Sequence, residues 1–365
     1  MRILLDAYWW FDGPPSGRNV VRSIVGSWAE EFPGDKISLL IPRRNAAEVD
    51  STRLAFRWPN VSIVFTRVPQ HAIAAALAGG LRRKYDLVLT QNFAPVFTKS
   101  PRAVFVHDLM FLDRPEWFTP VERTYLRMMT RMSRRADAIF TSSRSEAARI
   151  VRHLPKAAAP ITAAGLALSA DYEAAVPKAL DFAPEEFLLT VGRINIRKNL
   201  EGLVRSLLAA DLITEHRPLI IVGRPDGAQG SSHCLTEATS NGLVIWAGTV
   251  SDGELKWAYQ NCRAFIFPSL DEGFGLPVLE AISEGAPMAL SDIPAFREFG
   301  NVGSFFDPND DSAIADCVAQ VLSHQQQRTH ENPSLPNWSD VVTKLRDWGP
   351  ANARNIRQGA SCKTR

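Results

Sequence analysis

Two glutamates bracket a glycine-rich turn in the segment Phe267-Pro-Ser-Leu-Asp-Glu-Gly-Phe-Gly-Leu-Pro-Val-Leu-Glu-Ala281. Gly273 and Gly275 permit tight backbone turns and close approach of a ligand. Pro277 suits the first turn of a helix, where its missing N–H costs nothing. The N–H groups of Phe274, Gly275 and Leu276 then face outward at a helix N-terminus, a place that favours phosphate. Glu272 and Glu280 are poor neighbours for a bare phosphate. They suit a ligand that also carries hydroxyls, because an ionised carboxylate accepts hydrogen bonds from them. A sugar-nucleotide has both kinds of group. A loop glutamate or a helix-capping glutamate would explain either residue alone; the preceding apolar run, the proline and the pair together favour a site.

A second constellation is Val191-Gly-Arg-Ile-Asn-Ile-Arg-Lys-Asn199. Arg193 and Lys198 are suited to clamp a diphosphate, Arg by bidentate contact and Lys as a point charge, and so to stabilise charge on a leaving group. Arg197 reads as the blandest of the three cations. His107 follows an apolar run and precedes Asp108; a lone histidine there is more often structural. The remaining histidines, His71 among them, show no ligand spacing. The chain has no D-x-D sequence, so neither an essential metal nor any other cofactor is expected.

These residues need elements to hold them. Mostly continuous apolar runs at 2–6, 37–41, 61–65, 86–90, 103–107 and 138–142 read as strands covered on both faces, with helical patterns at about 18–31, 71–83, 119–135 and 143–153. The second half repeats the plan, with strands at 187–192, 219–223, 244–248, 264–268 and 287–291 and helices at 199–211, 252–261, 277–284 and 311–323. The expectation is α/β: two doubly wound domains, about 1–170 and 180–338, joined by a linker within 168–183. Ligands of such sheets bind at the carboxyl ends of strands, so the cleft between two facing domains is the expected site. Residues 351–365 are polar, without apolar periodicity, and are expected to be a disordered tail.

The 365 residues carry 41 Lys and Arg against 39 Asp and Glu, a net charge of +2 that argues against a nucleic-acid partner. The balance is uneven: residues 1–178 hold 25 cationic and 16 anionic side chains, and residues 179–365 hold 16 and 23. Part of the excess lies on the helix at 119–135, where Arg123, Arg127, Arg131 and Arg135 recur at every fourth position beside Arg134, with Tyr125, Leu126, Met128, Met129 and Met132 on much of the remainder. Arg82-Arg83-Lys84 adds to it. A basic amphipathic helix suits either a solvated face or an anionic membrane surface. Cys234, Cys262, Cys317 and Cys362 are too scattered for a disulfide framework or a zinc site, which points to a reducing, cytoplasmic setting. The longest run of low polarity, 72–81, is half of what spans a bilayer. Attachment to the inner face of the membrane stays open.

Glu272 and Glu280 within EGFGLPVLEA resemble the E-x7-E signature of the retaining glycosyltransferases of family 4, the group 1 glycosyltransferases, which have the GT-B fold. The GR…RKN segment is similar to that family's diphosphate-binding loop. The segments VFVHDLMFLDRPEWF and ADAIFTSSRSEA, the Asp307-Pro308 pair and Trp338 also fit, so the likeness runs along nearly the whole chain. The Gly17 turn follows two prolines, and the asparagine-glycine pairing usual near Gly165 is missing.

The resemblance implies an N-terminal acceptor domain, completed by a C-terminal helix at about 339–350, and a C-terminal nucleotide-sugar domain. It implies that Arg193 and Lys198 bind the donor diphosphate and Glu280 the ribose hydroxyls. Phe274, Gly275 and Leu276 offer backbone N–H groups, Val250 lies against the base, and Gly17 joins the donor site. Glu272 and His107 stand at the reacting sugar as catalytic residues, and Asp108 serves the acceptor. The implied reaction moves a hexose, such as mannose or rhamnose, from a nucleotide-diphosphate sugar to a hydroxyl of a glycan or lipid-linked glycan. The alternatives are another enzyme of the same fold, an epimerase or phosphorylase, or a non-catalytic sugar-nucleotide-binding protein.

Overall fold

The computed structural model describes residues 1–54, 57–82, 84–224, 233–323 and 335–348. The expectations for Arg83, Cys362 and the tail 351–365 lie outside the described residues. The chain divides into two compact units, one of residues 1–169 with the chain from residue 336 onward, the other of residues 170–335.

In the first unit seven strands form one parallel sheet: β1 (Arg2–Asp6), β2 (Lys36–Pro42), β3 (Val61–Thr66), β4 (Leu87–Gln91), β5 (Arg102–Val106), β6 (Ala138–Thr141) and β7 (Ile161–Ala163). Their order is β3-β2-β1-β4-β5-β6-β7. The chain winds outward one way from β1, then returns to β4 on its other side. The reversal point between β1 and β4 is where doubly wound sheets open a crevice at their carboxyl ends. Every residue of β4 and β6 is buried, which is why these strands read as unbroken apolar runs.

The second unit repeats the winding with β8 (Leu188–Val191), β9 (Leu219–Val222), β10 (Val244–Gly248), β11 (Ala264–Phe267), β12 (Met288–Ser291) and β13 (Ser304–Phe306), in the order β10-β9-β8-β11-β12-β13. Two layers of core cover this sheet. Phe265, Phe267, Val278 and Phe296 pack on one face, and Leu203, Val204, Leu207 and Val318 on the other.

Some elements differ from the sequence expectation. The helix expected at 71–83 ends at Leu77, because Ala78 is extended and Gly79 and Gly80 take positive φ angles of 84° and 61°. The strands β7 and β13 were not expected; each is three residues long and at a sheet edge, too short to leave a periodic signal.

Residues 338–348 form a helix that belongs to the first unit. Val341, Val342 and Leu345 are buried, the Trp348 ring meets Phe140 edge-on at 6.4 Å, and the Trp338 indole N–H donates to the Leu168 carbonyl at 2.7 Å. Arg346 pairs with the buried Asp35, which also accepts from the Trp28 indole.

Candidate active site

The second unit brings Arg193, Arg197, Lys198 and Glu272 together at the carboxyl end of β8. The chain leaves that strand through Gly192, whose N–H donates to the Val222 carbonyl at 2.9 Å. Gly223 follows β9 at φ 144°, and a Cβ there would lie 1.8 Å from the Gly192 oxygen, so the two strand exits touch backbone to backbone. A short turn at Ile196–Lys198 then leads to Asn199, left-handed at φ 49° and ψ 36°, and the helix Leu200–Ala209. The Asn199 amide donates to the Pro308 carbonyl at 2.8 Å, which ties this loop to the Asp307-Pro308 turn after β13.

This loop aims Lys198 inward. The Lys198 ammonium lies 2.7 Å from Glu272 Oε1 and 4.2 Å from the centre of the Phe267 ring. Arg197 Nη1 reaches the other carboxylate oxygen, Glu272 Oε2, at 2.6 Å. Arg197, which reads in the sequence as a bland exposed cation, is therefore a direct partner of Glu272. Burial alone would push the Glu272 carboxyl up, but Arg197 and Lys198 outweigh it and hold it at about 2. Burial lowers the Lys198 ammonium to about 8; Glu272 opposes that fall, and the neighbouring Arg197 and Arg193 add to it. Arg193 is exposed beside this pair and lines the same pocket as Thr190, Gly192 and Lys198.

The glycine-rich turn follows β11. Gly275 takes φ 105° and ψ 55° as the residue before the helix Leu276–Ser283, and a Cβ there would press on the Phe296 ring at 2.7 Å. Pro277 sits in the first turn of that helix. The N–H groups of Phe274, Gly275 and Leu276 donate to no acceptor among the described residues. One turn further along, Glu280 Oε2 accepts from the buried Tyr259 hydroxyl at 3.0 Å. Burial raises the Glu280 carboxyl to about 7; the Tyr259 hydrogen bond opposes the rise and Asp252 adds to it. Tyr259 left no functional signal in the sequence, since an aromatic residue in an amphipathic helix reads as core. Val250 packs half-buried against the apolar layer under this turn, just before Ser251, which caps the helix Asp252–Asn261.

The first unit holds its own polar cluster at the sheet reversal. Asp6, at the end of β1, is buried and accepts from the Tyr8 N–H at 3.0 Å and the Gln91 N–H at 3.2 Å, and its Oδ2 lies 2.7 Å from His71 Nε2. His107, after β5, lies 2.8 Å through Nε2 from Gln91 Oε1. Burial lowers its imidazole to about 4, with a smaller push from His71. Asp6, His71 and Gln91 are the residues that sequence reasoning missed; none has a motif, and only the strand order makes them neighbours. Asp108 Oδ1 accepts from the Met110 N–H at 3.3 Å. Gly17 faces the Trp9 indole, which a Cβ would meet at 2.7 Å. That contact accounts for Gly17 by packing within this unit.

Two consecutive doubly wound units of this winding define the GT-B class of fold. The described chain superposes on sucrose-phosphate synthase from Thermosynechococcus elongatus with a TM-score of 0.63 and 16% identity, over 100% of this chain and 98% of that one. Residues 173–333 match the family described as "Glycosyl transferases group 1". Over that segment the chain is similar to the group 1 glycosyltransferases. It is 31% identical over 233 residues to the O-antigen chain mannosyltransferase B of Escherichia coli, covering 61% of each chain. It is 33% identical over 206 residues to the serotype-specific mannosyltransferase WbdA of Escherichia coli, covering 52% of this chain and 25% of that one. The chain thus spans less than two thirds of the length of either relative.

Proposed function

We propose that this protein transfers a hexosyl residue, mannosyl in the first instance, from a nucleotide-diphosphate sugar to a hydroxyl of a glycan or lipid-linked glycan, as a retaining enzyme of family 4. The observation that carries this reading is the Arg197–Glu272–Lys198 cluster beside Arg193, on the turn that ends at Glu280. Three cations against one carboxylate leave a net positive site for a diphosphate. Each Glu272 oxygen has a cation partner, yet an ionised carboxylate has about four lone-pair sites, so it retains acceptors for sugar hydroxyls. The mannosyltransferase relatives support the choice of sugar.

In this mechanism Arg193 and Lys198 hold the diphosphate and stabilise the negative charge that grows on it as the glycosidic bond breaks. The N–H groups of Phe274, Gly275 and Leu276 add fixed dipoles of the same sense. Glu280 accepts from the ribose hydroxyls while Tyr259 holds its second oxygen. Val250 lies against the base. Glu272, fully ionised, orients the transferred sugar. The acceptor hydroxyl approaches the face that the diphosphate leaves, and a phosphate oxygen takes its proton, which gives retention without a protein nucleophile. The first unit supplies the acceptor side, with His107 at the reacting sugar and Asp108 at the acceptor.

We also assign the exposed Arg127, Arg131, Arg134 and Arg135, on and just after the helix Pro120–Ser133, to an anionic membrane surface on the cytoplasmic side. They form no ion pair with a described residue. No helix among the described residues is long and apolar enough to cross a membrane.

Incubation of the purified chain with GDP-mannose and a mannose-terminated acceptor, followed by NMR of the product's anomeric proton, tests the reaction. An α-linked product from the α-linked donor is expected. A β-linked product would overturn retention, and no product with any nucleotide-sugar would overturn the enzymatic reading.

A further inference from the structure

The first unit's sheet ends on one side at β3, which pairs with β2 along its whole length and has no strand beyond it among the described residues. In a parallel pair, one residue of a strand turns both backbone groups to its neighbour and the next turns both away. Ile37 of β2 stands opposite Val61 and donates to the Asn60 carbonyl at 2.9 Å. The alternation that starts there turns the backbone of Ser62 and Val64 toward β2 and that of Ile63 and Phe65 outward. No described residue accepts from the two outward N–H groups or donates to the two outward carbonyls.

A free edge invites another strand, and most edges are blunted. Of the other edges in the two sheets, β7 and β13 have three residues each, and β10 shifts register between Trp246 and Gly248 and ends on that glycine. The edge at β3 has none of these guards. Its sequence VSIVFT has no charge, proline or glycine, and its register with β2 is unbroken. Val64 and Phe65 are exposed at 36% and 38%. A strand of β-branched and aromatic residues without a gatekeeping charge is one that pairs.

We propose that β3 is a self-association edge that pairs antiparallel with β3 of a second copy of this chain, across a two-fold axis. The outward residues choose the register. Setting Ile63 against Phe65 of the second copy, and Phe65 against its Ile63, gives every free backbone group a partner. A pairing centred on Ile63 would instead set Phe65 against Val61, whose N–H already donates to the Trp58 carbonyl at 3.2 Å. In the favoured register Val64 meets its own copy at the axis, in the close, non-hydrogen-bonded kind of pair. Ile63 lies beside the Phe65 ring, a stabilising cross-strand pair. Arg67, the first charge after the strand, comes beside the uncharged Val61, so like charges do not meet. The two-fold pairing uses up both edges and closes. A strand of this length is about 20 Å long, and its edge alone buries less than the roughly 1,000 Å² of a stable interface. The dimer is therefore weak, and its population follows concentration.

The test uses the full chain. Sedimentation equilibrium across roughly 1 µM to 1 mM should show the mass rising from one chain toward two. Val64→Lys sets two ammonium groups against each other at the axis and should weaken association about tenfold or more. The side chain is exposed, so Tm should not change. Val64→Cys in a glutathione redox buffer should give a disulfide-linked dimer, because the Cα atoms of such a pair lie about 4.5 Å apart, within the reach of a disulfide. Ser62→Cys should not, because in this register the two copies of that position lie about 13 Å apart. The unaltered chain, with its own cysteines, is the control. The mass of one chain at every concentration would overturn the proposal. So would a dimer that Val64→Lys leaves intact, or linkage through Ser62→Cys in place of Val64→Cys. If Val64→Lys fails to fold, the Val64→Cys linkage still decides, and none of these outcomes depends on the transferase reading.

Discussion

At the scale of single residues, the site turns on how two glutamates are held. Glu272 is pinned as a carboxylate at about 2, and Glu280 is lifted to about 7. In the proposed reaction, donor binding needs Glu280 ionised and Lys198 protonated. The kcat/KM for the donor should therefore rise with pH through about 7 and fall again through about 8, where the free Lys198 loses its proton. Initial rates across pH 5.5–9.5, a range of about four units around those values, measure this. A flat profile would contradict the assignment of both residues. Glu280→Ala should weaken donor binding about tenfold or more by calorimetry, as a charged hydrogen-bond acceptor is lost.

Arg197 gives a stability test. Because Glu272 is depressed below its ordinary 4.5, its ion pairs contribute stability above that pH, and the contribution is lost as pH falls toward about 2. Arg197→Ala should cost about 2 kcal/mol at pH 7 in urea unfolding. The difference from the unaltered protein should shrink as the pH drops below about 4.

Both glutamates, Lys198 and Arg193 were legible as candidates because they sit in short contiguous motifs. The Arg197 contact was not, since two adjacent cations do not reveal which carboxylate each reaches across 75 residues of sequence. Nor was the Asp6–Gln91–His107 chain, whose members come from the carboxyl ends of β1, β4 and β5.

At the scale of elements, the winding of each sheet does the positioning. Strand exits at Gly192 and Gly223 touch, and the loop carrying Lys198 is tied through Asn199 to the turn after β13. Gly223→Ala has no room for its Cβ and an unfavourable backbone, so it should destabilise the protein by at least about 3 kcal/mol, read from the denaturant midpoint. A change below about 1 kcal/mol would mean that the two exits are not in contact. The alternation of strand and helix was legible because buried parallel strands leave unbroken apolar runs. The three-residue edge strands were not, and the early stop at Leu77 follows from glycine conformations that apolar periodicity in Ala-rich sequence hides.

At the scale of the whole molecule, the small net charge conceals a cationic first half and an anionic second half. Three of the second half's cations, Arg193, Arg197 and Lys198, gather at the carboxyl end of β8, and part of the first half's excess lies on one exposed helical stripe. Sedimentation with vesicles rich in anionic lipid should retain the protein at low salt and release it above about 0.3 M, as surface charge is screened. Glutamine at Arg127, Arg131, Arg134 and Arg135 together should abolish that binding while leaving nucleotide binding intact. Retention on neutral vesicles alone would contradict the electrostatic assignment.

The central claim is that the second unit recognises a nucleoside diphosphate through Arg193 and Lys198. Thermal unfolding with GDP, UDP and ADP measures it most directly, because a ligand of the folded state at about 100 times its Kd adds about 2.7 kcal/mol of stability. The account predicts a clear rise in Tm with at least one nucleotide and no rise in the Arg193→Ala, Lys198→Ala double variant. No rise with any of the three, or an equal rise in the double variant, would contradict it.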